Sequence, residues 1–463
     1  MNAETRIKTK EIVGWREIDG KIILFNPRQQ EMAILNEAAS FFWKNTSQWT
    51  DLSNLSEKLV IEYGISYEQA KRDIVNFVKE IFWLDVLEIS NSRKWWFKQS
   101  KHQAEIKDEN LLLKLEKLAM KKTIPFSVTF ELTQRCNEEC IHCYMPKEKV
   151  DELTTQEVKN ILIDLVKEKC IFISFTGGEI FTRPDLFEII DFASKQKFVI
   201  DLLSNGTLIN DEITDFLKTQ IIRRVQISLY ASKPKIHDRI TRREGSFKKT
   251  LEAIDLLTKR NIKVEIAFPI MKLNFDERHS VKTLAESLGA YFLPAHIITA
   301  RNDGSRDTFD FRIDDGQLKQ LLGEDIFDYY PGRKPFQEHQ FYMGFRNLQE
   351  ANPCYGGINS CAINPVGDVL PCNQLLYKLG NLRETSFSEI WHSSSAIKKL
   401  RSIKVKDLPK CSKCYMLSYC SRCPGLALLE SGDILGSSLE NCRIASILIQ
   451  NLKGGERSEE KNL

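Results

Sequence analysis

The sequence predicts an α/β protein. A partial (β/α)6 barrel is expected at its centre, with a winged-helix-like α+β domain before it and a cysteine-rich domain after it. Three observations carry that prediction. From residue 126, six strand-like segments alternate with amphipathic helices, the pattern of a parallel sheet that is open or curled into a partial barrel. Residues 12–89 show hairpin-like segments followed by helices. The 12 cysteines are spread unevenly: none precedes Cys136, and those from Cys354 onward crowd the last quarter.

At 463 residues the chain is long enough for two to four domains with cores of their own. Lys and Arg number 66 against 63 Asp and Glu, a net charge of +3, so no bulk attraction to nucleic acid is expected. The opening MNAETRIKTKEIV lacks the apolar core of a secretory signal. No run of about 18 apolar residues offers a spanning helix. The expectation is a cytoplasmic protein with no membrane and no nucleic-acid partner. In a reducing compartment, so many cysteines read as metal ligands rather than as a disulfide framework.

Residues 1–90 are expected to form the first domain. GWREIDGKIILFNPRQQEMAILN reads as strands with turn signals at Asp19-Gly20 and Asn26-Pro27. Helices follow at EAASFFWKN, at DLSNLSEKLVIEYG up to Gly64, and at SYEQAKRDIVNFVKEIFWLDV. In the last of these Ser66 is a candidate N-cap, and Ala70, Ile74, Phe77, Val78 and Ile81 recur at helical spacing. Residues 91–124 read as a connector. It holds the basic-aromatic run RKWWFK, a candidate interdomain surface, and a helix at ENLLLKLEKLAMKK. The barrel is expected over 125–300, with strands FSVTFEL, CIFISF, FVIDLLS, RRVQISLY, KVEIAF and AYFLPAHI. Cys170 opens the second strand and reads as plain core. Residues 301–352 are a turn-rich bridge, and 353–447 form the cysteine-rich domain, where metal is expected to stand in for a core. The charged tail 448–463 is expected to be disordered.

In β/α architectures ligands gather at the carboxyl ends of the strands. Directly after FSVTFEL comes LTQRCNEECIHCYMP, with Cys136, Cys140 and Cys143 in a single loop. A structural zinc site wants four ligands, commonly two separated pairs, and here would have to borrow a distant fourth such as His142. Three thiolates on a [4Fe–4S] cube leave one iron open to a small molecule. Polar turns follow the next strands: Thr176-Gly177-Gly178-Glu179, then Ser204-Asn205-Gly206, then Ser228 within QISLYAS. Each alone is an ordinary turn. Two adjacent glycines permit a close backbone approach, and an acceptor there can bind an ammonium.

In this order, each at a strand end, these segments resemble the radical S-adenosylmethionine (SAM) superfamily. The resemblance implies that Cys136, Cys140 and Cys143 hold a SAM-binding cluster whose open iron takes the methionyl amine and carboxylate. Reductive cleavage of SAM then yields methionine and a 5′-deoxyadenosyl radical that abstracts a substrate hydrogen. The resemblance also implies SAM contacts from Tyr144, from Gly177, Gly178 and Glu179 at the methionyl amine, from Ser204 and Asn205 at the ribose, and from Ser228. It nominates no acid or base, since abstraction needs none in its first step.

Gly367-x4-Cys372 and CSKCYMLSYCSRC resemble the superfamily's SPASM extension. That implies two auxiliary [4Fe–4S] clusters, one on Cys354, Cys361, Cys372 and Cys423, the other on Cys411, Cys414, Cys420 and Cys442, so three clusters in all. The last Cys-x2-Cys interval is shorter than usual and the Cys354–Cys361 interval longer. Two structural zincs are the alternative for paired Cys-x2-Cys.

REIDGKIILFNPRQQEMAILNEAASFFWKN resembles the PqqD-like domain, which binds the leader of a precursor peptide as an added strand. Met32–Leu35, beside the helix Tyr67–Phe82, is where the leader is expected. A DNA-binding winged helix has similar element order, but the domain lacks a basic recognition stripe. With HDRITRREGSF, the motifs are similar to maturases that make thioether (sactionine) cross-links in ribosomally synthesised peptides. The resemblance implies an oxidoreductase-type maturase, a precursor peptide partner, and an electron donor such as flavodoxin or ferredoxin. The alternatives are a carbon–carbon cross-linking or epimerising maturase, a formylglycine-forming enzyme, and an iron–sulfur redox sensor that binds peptide or DNA.

Overall fold

The computed structural model describes residues 5–90, 111–146, 149–325 and 348–459. The RKWWFK run lies outside the described residues. In the first domain, β1 (Arg6–Thr9) pairs with β5 (Thr50–Asp51) and β6 (Leu87–Ile89), while β2 (Gly14–Ile18), β3 (Lys21–Asn26) and β4 (Glu31–Leu35) form a second antiparallel sheet in that order. Asp19 and Gly20 both take positive φ, as a type I′ two-residue hairpin turn requires. The three predicted helices run Glu37–Asn45, Leu52–Tyr63 and Tyr67–Ile81, capped by the side chains of Asn36, Asp51 and Ser66. Ala70, Ile74, Phe77, Val78 and Ile81 are all buried, as their spacing predicts.

All six predicted barrel strands form. They are β7 (Ser127–Thr133), β8 (Phe172–Gly177), β9 (Val199–Ser204), β10 (Ile222–Ser228), β11 (Val264–Pro269) and β12 (Tyr291–Ala295), parallel and in chain order across the sheet. Alternation along each strand divides the faces. The register Val128–Ile173–Ile200 carries apolar side chains into the core beneath the helices. The neighbouring register Thr129–Ser174–Asp201 carries polar ones to the opposite, lumen face.

The cysteine-rich region is more regular than its sequence predicts. β13 (Ser360–Ile363) joins the barrel sheet parallel to β7, and β14 (Asp368–Leu370) and β15 (Gly380–Asn381) continue it antiparallel, giving nine strands. These strands are too short for a period of two to register in the sequence. The tail also departs from expectation: the helix Leu439–Glu459 runs nearly to the end of the chain. Its first part is packed, with Ala445 and Ile447 buried, and extending a formed helix costs little. No helix among the described residues is long and apolar enough to cross a membrane.

The first domain is fastened to the barrel. One face of β3 (Ile22, Leu24) joins the domain's own core, while the other (Ile23, Phe25) packs with Ile18 on Phe126, Phe172, Val199 and the helix Leu111–Lys122. Gly14 lies so close to the barrel that a Cβ there would meet Val199 Cγ2 at 2.4 Å. The buried Arg16 guanidinium donates from Nε to the Cys170 carbonyl (2.6 Å) and from Nη1 to the Gln196 carbonyl (3.0 Å), and sits 4.8 Å over the Phe198 ring. Burial lowers its pKa to about 10, so it stays charged at neutral pH. Arg16→Ala is therefore expected to cost about 3 kcal/mol, the loss of charge-assisted hydrogen bonds to carbonyls left behind. A urea midpoint shifted to lower concentration, with earlier proteolytic release of the first domain, checks it.

Candidate active site

The cysteine loop leaves the carboxyl end of β7 and is held from several sides. Glu139 N–H donates to the Thr241 carbonyl and Ile141 N–H to the Ile240 carbonyl, both at 3.0 Å. Arg243 donates to the Asn137 carbonyl. Arg301, paired with Asp307, donates to the Cys143 carbonyl at 2.6 Å. Glu152 accepts from the Thr133 hydroxyl (2.6 Å) and the Gln134 N–H (2.9 Å). The structure thus brings Cys136, Cys140 and Cys143 to one cavity of about 580 Å3, which Gln134, Glu138 and Gly178 also line.

Burial pushes the Cys136 thiol up to about 11, against the Glu138 N–H that donates to it, and raises Cys140 well above its ordinary value; the charges of Glu138 and Cys143 add to both shifts, and that of Glu179 to the first. Such thiols become thiolates when a metal centre compensates the charge. Gln134 Oε1 and Glu138 Oε1 are buried there without a protein partner. Three crowded thiols and two orphaned acceptors around an open cavity fit a cationic cofactor on an iron–sulfur cluster. Among the described residues no three His, Cys, Asp or Glu side chains converge as a single-ion site requires.

The two glycines set the floor. Gly177 takes φ of 143°, and a Cβ there would lie 2.2 Å from the Thr133 carbonyl oxygen; at Gly178 it would lie 2.3 Å from that of Arg135. Gly178 N–H donates to the Thr133 carbonyl and Glu179 N–H to the Arg135 carbonyl, both at 2.8 Å.

Glu179 does not face the cavity as its place after the glycines suggests. It is 0% exposed, and its carboxylate accepts from the Ser204 hydroxyl (2.9 Å to each oxygen), Asn205 N–H (2.7 Å) and Phe181 N–H (3.1 Å). Burial raises its pKa to about 7 against those bonds. Ser204 also accepts from Gly206 N–H, and Asn205 bonds Thr207 and Asn137. Glu179, Ser204 and Asn205 therefore brace one another. The acceptors left for an ammonium are the unpartnered side-chain oxygens and the backbone beside Gly178.

Tyr144 is turned to the lumen face of β7, its hydroxyl donating to Glu131 at 3.0 Å and accepting from Asn373 at 3.5 Å. Ser228 ends β10 and hydrogen-bonds Tyr230, whose hydroxyl lies 3.9 Å from the Cys140 sulfur and whose ring meets His142 edge-on. Sequence reasoning missed Asn137, Glu152, Arg243 and Arg301. Asn137, inside the cysteine motif, and Arg243, inside HDRITRREGSF, carried a signal; Arg301 lies far away in the chain.

The remaining thiols divide into two sets. Cys420 lies in electrostatic range of Cys442, Cys411 and Cys414, and Cys442 of the last two. Cys372 lies in range of Cys354 and Cys423. Cys361 does not join them, contrary to expectation. It pairs with Val128 on the Cys361–Val128–Ile173 register, is 3% exposed, and has Cys170 and Arg401 as its charge neighbours. Strand alternation is the reason: Ala362 shares the lumen-side register of Thr129, so Cys361 points into the helix-covered core. Cys170 is buried there too, as predicted.

Residues 130–287 match the radical SAM superfamily, 354–424 the iron–sulfur cluster-binding SPASM domain, and 21–81 coenzyme PQQ synthesis protein D. An AdoMet-dependent heme synthase of Methanosarcina barkeri is 28% identical over 67% of this chain and 94% of its own. The subtilosin biosynthesis protein AlbA of Bacillus subtilis is 30% identical over 65% of this chain and 67% of its own. Among solved structures, Streptococcus suis SuiB bound to its precursor peptide SuiA superposes with a TM-score of 0.60 at 17% identity, covering 94% of this chain and 99% of that one.

Replacing Cys136, Cys140 and Cys143 together by Ala is expected to abolish SAM cleavage and lower iron from about twelve to about eight atoms per chain. Wild-type cleavage by that variant would rule the triplet out. Cys361→Ala is expected to leave iron content and cluster spectra unchanged, and to cost about 1 kcal/mol for the small cavity left behind. Iron analysis and urea unfolding separate the two effects.

Proposed function

We propose that this chain installs a thioether cross-link in a ribosomally made precursor peptide. The chain belongs to the radical SAM superfamily and carries SPASM and PqqD-type domains. It is a radical SAM enzyme, and its cofactors are SAM and [4Fe–4S] clusters. When bound, they supply the radical that abstracts a substrate hydrogen, and an external one-electron donor such as flavodoxin or ferredoxin in the cytoplasm would reduce them.

The observation that carries the thioether reading is the set of three, Cys354, Cys372 and Cys423, from which Cys361 is turned away. A cube held by three protein thiolates has room for a fourth ligand, and a substrate cysteine thiolate has the matching chemistry. Carbon–carbon linking and epimerisation need no substrate thiolate at such a position. The protein's own part is positioning. Gly177 and Gly178 let the cysteine loop close on the cavity floor, and the Glu179–Ser204–Asn205 brace holds that floor without presenting a competing carboxylate.

The precursor's leader is read at β4. Its outer edge pairs with no strand among the described residues, and Ile34 on it is 38% exposed. An extended segment can add there through main-chain hydrogen bonds. The likeness to AlbA and the fold shared with a precursor-bound enzyme support the same reading. Heme synthesis is a second reading, favoured by the 94% coverage of that relative. It leaves the β4 edge, which pairs with no other strand among the described residues, without a use.

A candidate precursor, sought among any short reading frames that flank the gene, is the test substrate. Its product is expected to be lighter by two hydrogens per cross-link, and that loss should vanish when the substrate cysteines become alanine. A cross-linked product that survives the change would point to carbon–carbon chemistry. Ile34→Asp, on an exposed side chain, is expected to weaken precursor binding about tenfold while sparing SAM cleavage without precursor. Deleting the whole first domain is a poorer test, because it would uncover Phe126, Phe172 and Val199.

A further inference from the structure

We propose that the enzyme modifies only residues lying about nine or more positions from the leader segment docked on β4. The inference rests on the leader reading and adds a ruler to it. Contacts that fix the first domain fall at the amino ends of the barrel strands. Arg16 bonds the carbonyls of Cys170 and Gln196, just ahead of β8 and β9. Gly14 abuts Val199, the first residue of β9. Beyond them, Gln30, in the turn leading into β4, donates to the Arg223 carbonyl at the start of β10 (2.8 Å). The cysteine loop, Gly177–Gly178 and Ser228 all lie at the carboxyl ends. The docking edge and the chemistry therefore sit at opposite ends of the same strands.

That separation sets a length. β10, Ile222–Ser228, spans about 20 Å at the usual strand rise. The lumen wall there is charged, because Asp201, Arg224 and Glu265 form ion pairs along β9, β10 and β11. A peptide that keeps off this wall runs outside the strands and their helix layer, about another 10 Å. About 30 Å at roughly 3.3 Å per extended residue is about nine residues. The fixed domain makes the lower limit abrupt. The upper side is gradual, because effective concentration falls roughly as the −3/2 power of linker length, about threefold per doubling.

The probes are synthetic peptides built on the same candidate precursor, with leader-to-acceptor spacers of about four, about twelve and about twenty-four residues. Leader affinity, read by fluorescence anisotropy on the reconstituted full-length enzyme, should agree within about twofold across the series. Modification should fall at least about a hundredfold at the shortest spacer, be complete at the middle one, and drop about threefold at the longest. Equal modification of the shortest and middle peptides, with leader binding that Ile34→Asp weakens, would overturn the ruler and leave the docking site standing. Leader binding unchanged by Ile34→Asp would overturn the docking site and the ruler with it.

Discussion

The active site depends on one close approach of backbone to backbone. Gly177 and Gly178 pass so near Thr133 and Arg135 that a single Cβ would sit well inside contact distance of their carbonyl oxygens. The two hydrogen bonds made there tie the turn after β8 to the start of the cysteine loop. Any side chain at either position would lift the loop from its floor and move Cys136 with it. Glu179 follows from the same constraint. With the turn drawn inward its carboxylate is buried, and three donors, the Ser204 hydroxyl and the N–H groups of Asn205 and Phe181, compensate the lost hydration. The neighbouring turn is thereby fixed as well.

Strand parity does equivalent work in the C-terminal domain. β13 joins β7 in a register that places Ala362 beside Thr129 and Cys361 beside Val128. A shift of one residue would exchange them, bringing a thiol to the lumen face and an alanine to the core. The face that Cys361 takes is thus decided by a pairing register, not by the number of cysteines in the chain.

That distinction explains what the sequence could disclose. The six barrel strands and the helix from Tyr67 to Ile81 were legible because each carries several repeats of its period. The Cys136–Cys140–Cys143 loop was legible because its ligands lie close together in the chain. Cys361 was misread because spacing reports nearness along the chain, whereas register decides which face a side chain takes. The bonds from Ser204 and Asn205 to Glu179 were not legible, because acceptor chemistry alone does not reveal which way a carboxylate turns. Arg301 and Arg16 escaped because each acts on a carbonyl more than a hundred residues away. Nothing local distinguishes them from solvated surface arginines.

Arg16 also shows why the two ends of the barrel can be treated as one machine. A charged side chain buried against two carbonyls is costly to pull away, since separation strands the acceptors and must rehydrate the cation. The apolar contact of Ile18, Ile23 and Phe25 with Phe172 and Val199 adds to that cost. Those barrel residues open the very strands that end in Gly177 and Ser204. β2 and β3 therefore transmit the position of β4 to the barrel without a flexible joint between them. A peptide held on β4 gains its proximity to the cysteine loop from this rigidity, and the slack in its own chain must supply the rest.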